Sequence, residues 1–303
     1  MNDKIDILMA VYNGEKYLIE QLDSILNQTY QEFNLIISDD CSTDCSMKIL
    51  SEYQKKDGRI VIIKQEKNLG YVKNFEFLLT KVTNEFFMLS DQDDVWNSDK
   101  VEISLKKIKE EELMLVHTDL EVVDKDLKNI NNSMIRLINM HTKATKYNDY
   151  RSVFLDNCIT GCTIIANSEV INKCLPIPEK PMVHDWWVGL IASSIGKIGF
   201  IDKPTIKYRQ HGNNLIGINS KKQYKTMKEY REYRLDLYYN QFKIYNDNID
   251  KFETIYDRIK TGYEYFSYLK NREKINVLKE LSLFKVYKEE KLMRKIKAFI
   301  LFH

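Results

Sequence analysis

Glu85–Ser90 (EFFMLS) runs directly into Asp91-Gln92-Asp93-Asp94. The short apolar run reads as a buried strand, and the acidic cluster marks its end. Residues i and i+2 of an extended segment project to the same side, which pairs Asp91 with Asp93. Two carboxylates so placed can hold a divalent cation and leave positions open for phosphate oxygens. Hard oxygen ligands of this kind suit Mn2+ or Mg2+. A polar loop that caps a helix has the same composition, so the triplet alone does not separate the two readings.

The flanking sequence repeats the pattern. Ile5–Tyr12 (IDILMAVY) reads as a strand stopping at Asn13-Gly14, and Lys16–Asn27 carries Tyr17, Leu18, Leu22, Ile25 and Leu26 at helical spacing. Phe33–Ser38 is a second strand, ending in Asp39-Asp40-Cys41-Ser42-Thr43-Asp44, with a helix to about Lys55 capped from Ser42–Asp44. Ile60–Lys64 is a third strand, after which Asn68-Leu69-Gly70 turns into a helix over Tyr71–Val82. Strands alternating with helices predict an α/β fold with a parallel doubly wound sheet. Ligands of such sheets bind beyond the carboxyl ends of the strands, where all four polar clusters lie.

Beyond Lys100 the alternation loosens. Leu113–Thr118, Leu120–Val123, Ile159–Ala166, Ile198–Ile201 and Thr205–Arg209 read as strands, Asn129–Asp149 as a mobile loop and Trp186–Ser194 as a helix. From Lys221 onward the pattern is helical. The chain carries a formal charge of only +2, which excludes an obvious nucleic-acid binder. The balance is uneven: 20 Lys/Arg stand against 12 Asp/Glu from Asn219 on, leaving 26 against 32 before it. A basic tail ending in Lys291–His303 (KLMRKIKAFILFH) suggests peripheral contact of residues 221–303 with an anionic membrane. Packing on the preceding domain and a homodimer contact are the competing readings. Five cysteines without zinc-knuckle spacing, no apolar leader and no membrane-spanning run point to a cytoplasmic protein with reduced thiols.

Several clusters could carry chemistry. A carboxylate at Asp39-Asp40 can accept the imide N–H of uracil or thymine, or cap the following helix. Gly70 permits close backbone approach, while Lys73 and Asn74 can reach phosphate or ribose. In His184-Asp185-Trp186-Trp187 the paired indoles suggest a cleft wall shielding a carboxylate. Burial would raise the Asp185 pKa and suit a general base. His211, in Arg209-Gln210-His211-Gly212-Asn213-Asn214, could complete a metal site or meet a diphosphate, or be a core histidine.

With these residues in view, Ile5 to Gly217 resembles family 2 glycosyltransferases of the GT-A fold, within them bacterial rhamnosyltransferase-type enzymes. The resemblance rests on Met9-Ala10-Val11-Tyr12-Asn13-Gly14, Ser38–Asp44, Asn68-Leu69-Gly70, Leu89–Trp96, His184–Trp187 and Tyr208–Asn214 in that order. It implies a mixed, mainly parallel Rossmann-like sheet flanked by helices over residues 1–218. The nucleotide-binding half would span about 1–100, the acceptor half 101–218, and a basic helical extension 219–303. Val11, Tyr12 and Asp39 would line the base pocket, with Asp40 nearby, and Asn13, Asn68, Gly70, Lys73, Asn74, Asp91 and Gln92 around the nucleotide. Asp93 and His211 would hold Mn2+ or Mg2+, and Asp185 would be the catalytic base. Trp186, Trp187, Gly161 and Cys162 would contact the sugar or acceptor. Cys41 departs from a common glycine, and His184 from a common acid.

The implied reaction is transfer with inversion, from dTDP-rhamnose or a UDP-hexose to a glycan or lipid-linked acceptor, in cell-surface polysaccharide synthesis. A nucleotidyltransferase is the enzymatic alternative, but Asn13-Gly14-Glu15 is neither the Gly-rich nor the basic phosphate loop expected there. A non-catalytic sugar-nucleotide binding or scaffold protein is the other, against which the intact Asp91, Asp93 and Asp185 count.

Overall fold

The computed structural model describes residues 4–178, 183–211, 226–252 and 254–270. Nine strands form one sheet in the order β3-β2-β1-β4-β8-β6-β9-β5, with β7 paired to β6. In chain order these are β1 (Ile5–Val11), β2 (Phe33–Asp39), β3 (Ile60–Lys64), β4 (Phe86–Ser90), β5 (Val95–Trp96), β6 (Leu115–Val123), β7 (Asn129–Asn131), β8 (Ile164–Asn167) and β9 (Ile198–Arg209). The helices are α1 (Leu18–Leu26), α2 (Ser46–Lys56), α3 (Tyr71–Leu79), α4 (Lys100–Glu110), α5 (Met134–Leu137), α6 (His141–Lys146), α7 (Glu169–Cys174), α8 (His184–Ile195), α9 (Met227–Asp247) and α10 (Tyr256–Lys270).

β1 is buried along nearly its whole length, as a central strand covered by helices on both faces must be. Its neighbours β2 and β4 run parallel to it, and β3 runs parallel to β2. The parallel arrangement read from the strand–helix alternation holds through β4, and beyond it the sheet is mixed, as the resemblance implied. There β8 is antiparallel to both β4 and β6, while β9 is parallel to β6. Two reversals restore the original direction. The carboxyl end of β9 therefore lies on the same edge of the sheet as those of β1, β2 and β4. That topological fact lets residues more than a hundred positions apart share one site.

Four local expectations also change. Leu113–Thr118 and Leu120–Val123 are one strand, β6. Ile198–Ile201 and Thr205–Arg209 are one strand, β9, whose register against β6 slips where Asp119 meets Pro204. Proline offers no ladder donor, which explains why the sequence pattern looked broken there. In Ile159–Ala166 only the last residues pair, because Gly161–Thr163 forms a 3-10 turn. Asn129–Asp149 is not a bare loop: it holds β7, α5 and α6, with Ser133 capping α5 through Arg136 N–H. Helix α4 buries Val101, Leu105 and Ile108, an i, i+4, i+7 stripe.

The chain divides into two compact units, Met1–Ser220 and Lys221–His303. In the second, α9 and α10 bury Phe242, Tyr245, Ile259 and Phe266, and Gly262 is the point where α10 meets the Phe242 ring. The Lys291–His303 segment lies outside the described residues. No described helix is long and apolar enough to cross a membrane.

Candidate active site

The first loop at the carboxyl edge is knitted to the second before any ligand arrives. Asn13 adopts a left-handed φ of 50°, which asparagine tolerates better than most residues. Its N–H donates to Ser42 Oγ at 2.9 Å, and its Oδ1 accepts from Thr43 N–H at 2.8 Å. Gly14 N–H donates to Ser46 Oγ at 2.8 Å, and Glu15 N–H to Asp44 at 3.0 Å. Gln92, in the loop after β4, clamps the backbone of exposed Tyr12, accepting its N–H at 2.8 Å and donating to its carbonyl at 3.0 Å. Gly14 faces the Gln92 amide so closely that any side chain would displace it.

Asp39 is buried at the end of β2. One oxygen accepts Ser42 N–H at 3.1 Å, while Oδ1 has no partner among the described residues. The next residue but one, Cys41, has φ of 63°, a backbone shape natural for glycine, which gives the substitution noted above a physical meaning.

Several expected contacts turn out to be internal struts. Both Asp40 oxygens are taken, by Leu69 N–H at 2.7 Å and Gly70 N–H at 2.9 Å, and Asn68 donates to the Asp40 carbonyl at 3.0 Å. Asp40 and Asn68 thus shape the third loop, with Gly70 at φ 77°. Asn74 is buried and donates to the Ser38 carbonyl at 3.1 Å, and Lys73 pairs with Glu76 at 3.0 Å. Val11 lies in the core. So does Trp187, its indole N–H donating to the Cys174 carbonyl at 2.7 Å, so the expected two-indole wall reduces to half-buried Trp186. Cys162 is also buried, beneath the acidic loop rather than on an open face.

The acidic loop itself is densely charged. His211 Nε2 lies 2.8 Å from Asp93 Oδ2, both side chains partly exposed. Asp91 is pushed well above the usual carboxylate range by burial first, then by the charges of Asp93 and Asp185. Asp94 is fully buried and is likewise held well above the usual range by burial and then by the charges of Asp93 and Asp91. Its Oδ1 accepts Arg209 N–H at 3.2 Å and its Oδ2 has no partner among the described residues. Asp91, Asp94 and Cys162 also present ligand atoms within 4.8 Å of one another. Asp94 and Cys162 are buried, whereas Asp93 and His211 keep partly exposed side chains.

Asp185 sits in the first turn of α8, where the helix dipole favours an anion. It is 9 % exposed. Gly161 N–H donates to it at 3.0 Å and Asn157 Nδ2 at 3.3 Å, along with Trp186 N–H. Burial outweighs these bonds and raises its pKa to about 6.

Three residues were not anticipated as parts of the site. Arg209 is buried over the Tyr17 ring, 4.4 Å from its centroid. It donates to the Asp93 carbonyl at 2.9 Å and the Lys125 carbonyl at 2.7 Å, and pairs with Glu20. Lys100, fully buried, lies 4.5 Å from the Trp96 ring centre, with its pKa lowered to about 7 by burial against the pull of Cys162 and Asp94. Asn157 bonds Asp185. An arginine two before His211 was a visible signal. Lys100 and Asn157 gave none.

The model for glycosyl transferase family 2 matches residues 6–169. A dTDP-rhamnosyl transferase of Shigella flexneri, RfbG, is 32 % identical over 225 residues, covering 70 % of this chain and 74 % of its own. Among solved structures, S. aureus TarS (residues 1–349) in complex with UDP-GlcNAc aligns with a TM-score of 0.61 at 19 % identity, over 87 % of this chain and 71 % of that one. A mannosyltransferase from Pyrobaculum calidifontis, in complex with GDP-Man and Mn2+, gives 0.57 at 11 % identity, over 98 % and 84 %. The mixed sheet with flanking helices is the GT-A fold of these structures.

Proposed function

The chain belongs to glycosyl transferase family 2, and from that premise we propose that it is an inverting, divalent-metal-dependent enzyme that moves a sugar from a nucleoside-diphosphate donor to a hydroxyl of a glycan or lipid-linked acceptor. The observation that carries the reading is the convergence of Asp93 and His211, 2.8 Å apart, with Asp91, whose own proton affinity responds to Asp185.

Each group has a task its surroundings suit. Asp39 Oδ1, buried and without a partner among the described residues, meets the imide N–H of a uracil or thymine, and exposed Tyr12 flanks the base. Both pyrimidines offer the same edge, so UDP and dTDP sugars, dTDP-rhamnose among them, fit equally. Asp93 and His211, aided by Asp91, would hold Mn2+ or Mg2+: two repelling carboxylates beside an imidazole form a donor set that a hard cation relieves. When bound, such a cation neutralises charge on the departing diphosphate. Asp185 takes the proton of the acceptor hydroxyl as its oxygen bonds to the anomeric carbon from the face opposite the breaking bond to phosphate.

The division of the chain belongs to the same proposal, with catalysis in 1–218 and acceptor-side docking in the basic extension 219–303, in cell-surface polysaccharide synthesis on the cytoplasmic face of a membrane. A panel of UDP and dTDP sugars tests the reading, scored by thermal shift with Mn2+ and by released nucleoside diphosphate. Stabilisation and turnover with at least one member is expected. No response to any member would refute it.

A further inference from the structure

His184 is an unsatisfied group in the wall beside Asp185. Its ring is 7 % exposed, stacked on Phe75 with centroids 4.2 Å apart at 17°, and set edge-on to Tyr71 at 6.0 Å. Neither ring nitrogen has a hydrogen-bond partner among the described residues. Burial lowers its pKa to about 3, so the ring is neutral and carries one idle donor and one idle acceptor. Leaving a buried polar group unmatched costs about 1–3 kcal/mol, so such groups nearly always have a partner in the working protein.

The surroundings say where that partner comes from. A Cβ on Gly161 would stand 3.0 Å from His184 Nε2, so glycine keeps that nitrogen from being crowded. Tyr71 is exposed, its ring is edge-on to His184, and the charge of Asp185 helps raise its phenol pKa, so the three side chains lie together at this part of the wall. The face of Phe75 is already covered by the imidazole, which leaves the ring nitrogens as the polar feature of that wall.

We propose that His184 is a specificity-determining residue: its neutral imidazole exchanges hydrogen bonds with a hydroxyl of the sugar ring next to the reacting centre, and the Tyr71 edge packs beside that ring. This rests on the sugar-transfer reading above. An uncharged ring in an apolar stack suits a neutral hydroxylated sugar and gives no counter-charge to a uronic acid. The hydroxyl belongs either to the donor sugar or to the acceptor.

His184→Phe keeps the stack on Phe75 and removes both nitrogens, while His184→Gln retains a donor and an acceptor. The measurements are calorimetric affinities for UDP or dTDP and for the matching nucleotide sugar, hydrolysis of that sugar to water, and transfer to a panel of octyl glycosides. If the donor hydroxyl is read, His184→Phe loses about tenfold in affinity for the nucleotide sugar and nothing for the free diphosphate. If the acceptor hydroxyl is read, donor binding and hydrolysis stay unchanged and acceptor kcat/KM falls about tenfold. In either case His184→Gln recovers part of the loss, and it carries the comparison where the Phe variant folds poorly. All quantities within twofold of wild type in both variants would overturn the proposal and leave His184 a core ring satisfied by water. A wild-type protein that binds no nucleotide sugar at all would instead sink the reading beneath it, a result distinguishable because it appears before any substitution is made.

Discussion

Asp185→Asn should abolish sugar transfer and, above pH 6, make the protein more stable. The carboxyl has a folded-state pKa of about 6 against 3.8 for the free group, so the folded state binds its proton more tightly than the unfolded chain does. The sign follows: this group favours folding when protonated and opposes it once ionised, and the opposition grows as pH rises between those two values. Well above pH 6 the ionised carboxylate costs about 3 kcal/mol, from 1.36 kcal/mol per pKa unit. At pH 5 the same linkage gives about 1.6 kcal/mol. Asparagine removes this cost but places an amide where Oδ2 now accepts Gly161 N–H, losing about 1 kcal/mol or more at every pH. The constant loss cancels when two pH values are compared. Denaturant unfolding of both proteins in EDTA should therefore show the variant gaining about 1.4 kcal/mol on wild type between pH 5 and pH 7.5. A gap that is flat with pH, or that widens toward pH 5, would refute a buried, proton-hungry Asp185.

Four further outcomes follow. Initial-rate kcat/KM should rise tenfold per pH unit below about 6 and level above it, because only ionised Asp185 can accept a proton; a profile flat from pH 5 to 8 would remove the base from this position. EDTA should suppress transfer and added Mn2+ or Mg2+ restore it, and full turnover in chelator would defeat the roles of Asp93 and His211. Asp39→Asn should weaken UDP binding about tenfold by calorimetry while improving CDP, since an amide donor matches cytosine N3; unchanged UDP affinity would displace the base from Asp39. Full-length protein should float with phosphatidylglycerol vesicles more than a chain ending at Lys285, and equal recovery would reject membrane docking by the tail.

What the sequence made legible was what depends on short-range pattern. β1 to β4 and the residues at their ends could be read because each strand is a short apolar run closed by turn chemistry. The antiparallel β8 could not be read, because strand direction is set by how Gly161–Thr163 turns the chain, not by the strand's own residues. β6 and β9 each looked like two strands because the irregularity at Asp119 and Pro204 interrupts their pattern. Among site residues, the types needed were visible but not their orientation. Asp39 and Asp40 are adjacent and chemically identical, yet one keeps an idle oxygen and the other spends both on Leu69 and Gly70. Likewise Trp186 and Trp187 are neighbours on a helix, and a rotation of about 100° per residue sends the second into the core.

The arrangement around Asp94 explains why so many like charges can share this edge of the sheet. Besides burial, the charges of Asp93 and Asp185 raise the proton affinity of Asp91, and those of Asp93 and Asp91 raise that of Asp94, so the cluster by itself is electrostatically unfavourable. Two buried basic side chains oppose this. Lys100 sits close enough to feel the charge of Asp94, and Arg209 fastens both the Asp93 carbonyl and, through its own N–H, Asp94. Arg209 is also two residues before His211, so one side chain sets the distance between the acidic loop and the end of β9. Lysine at that position would keep the charge but could not reach Glu20, Lys125 and Asp93 at once. Fixing those backbones before ligand arrives means the repulsion among the carboxylates cannot be relaxed by moving them apart. Protonation of Asp91 and Asp94 relieves it in one way, and a bound cation, in the role proposed for this cluster, would relieve it in another.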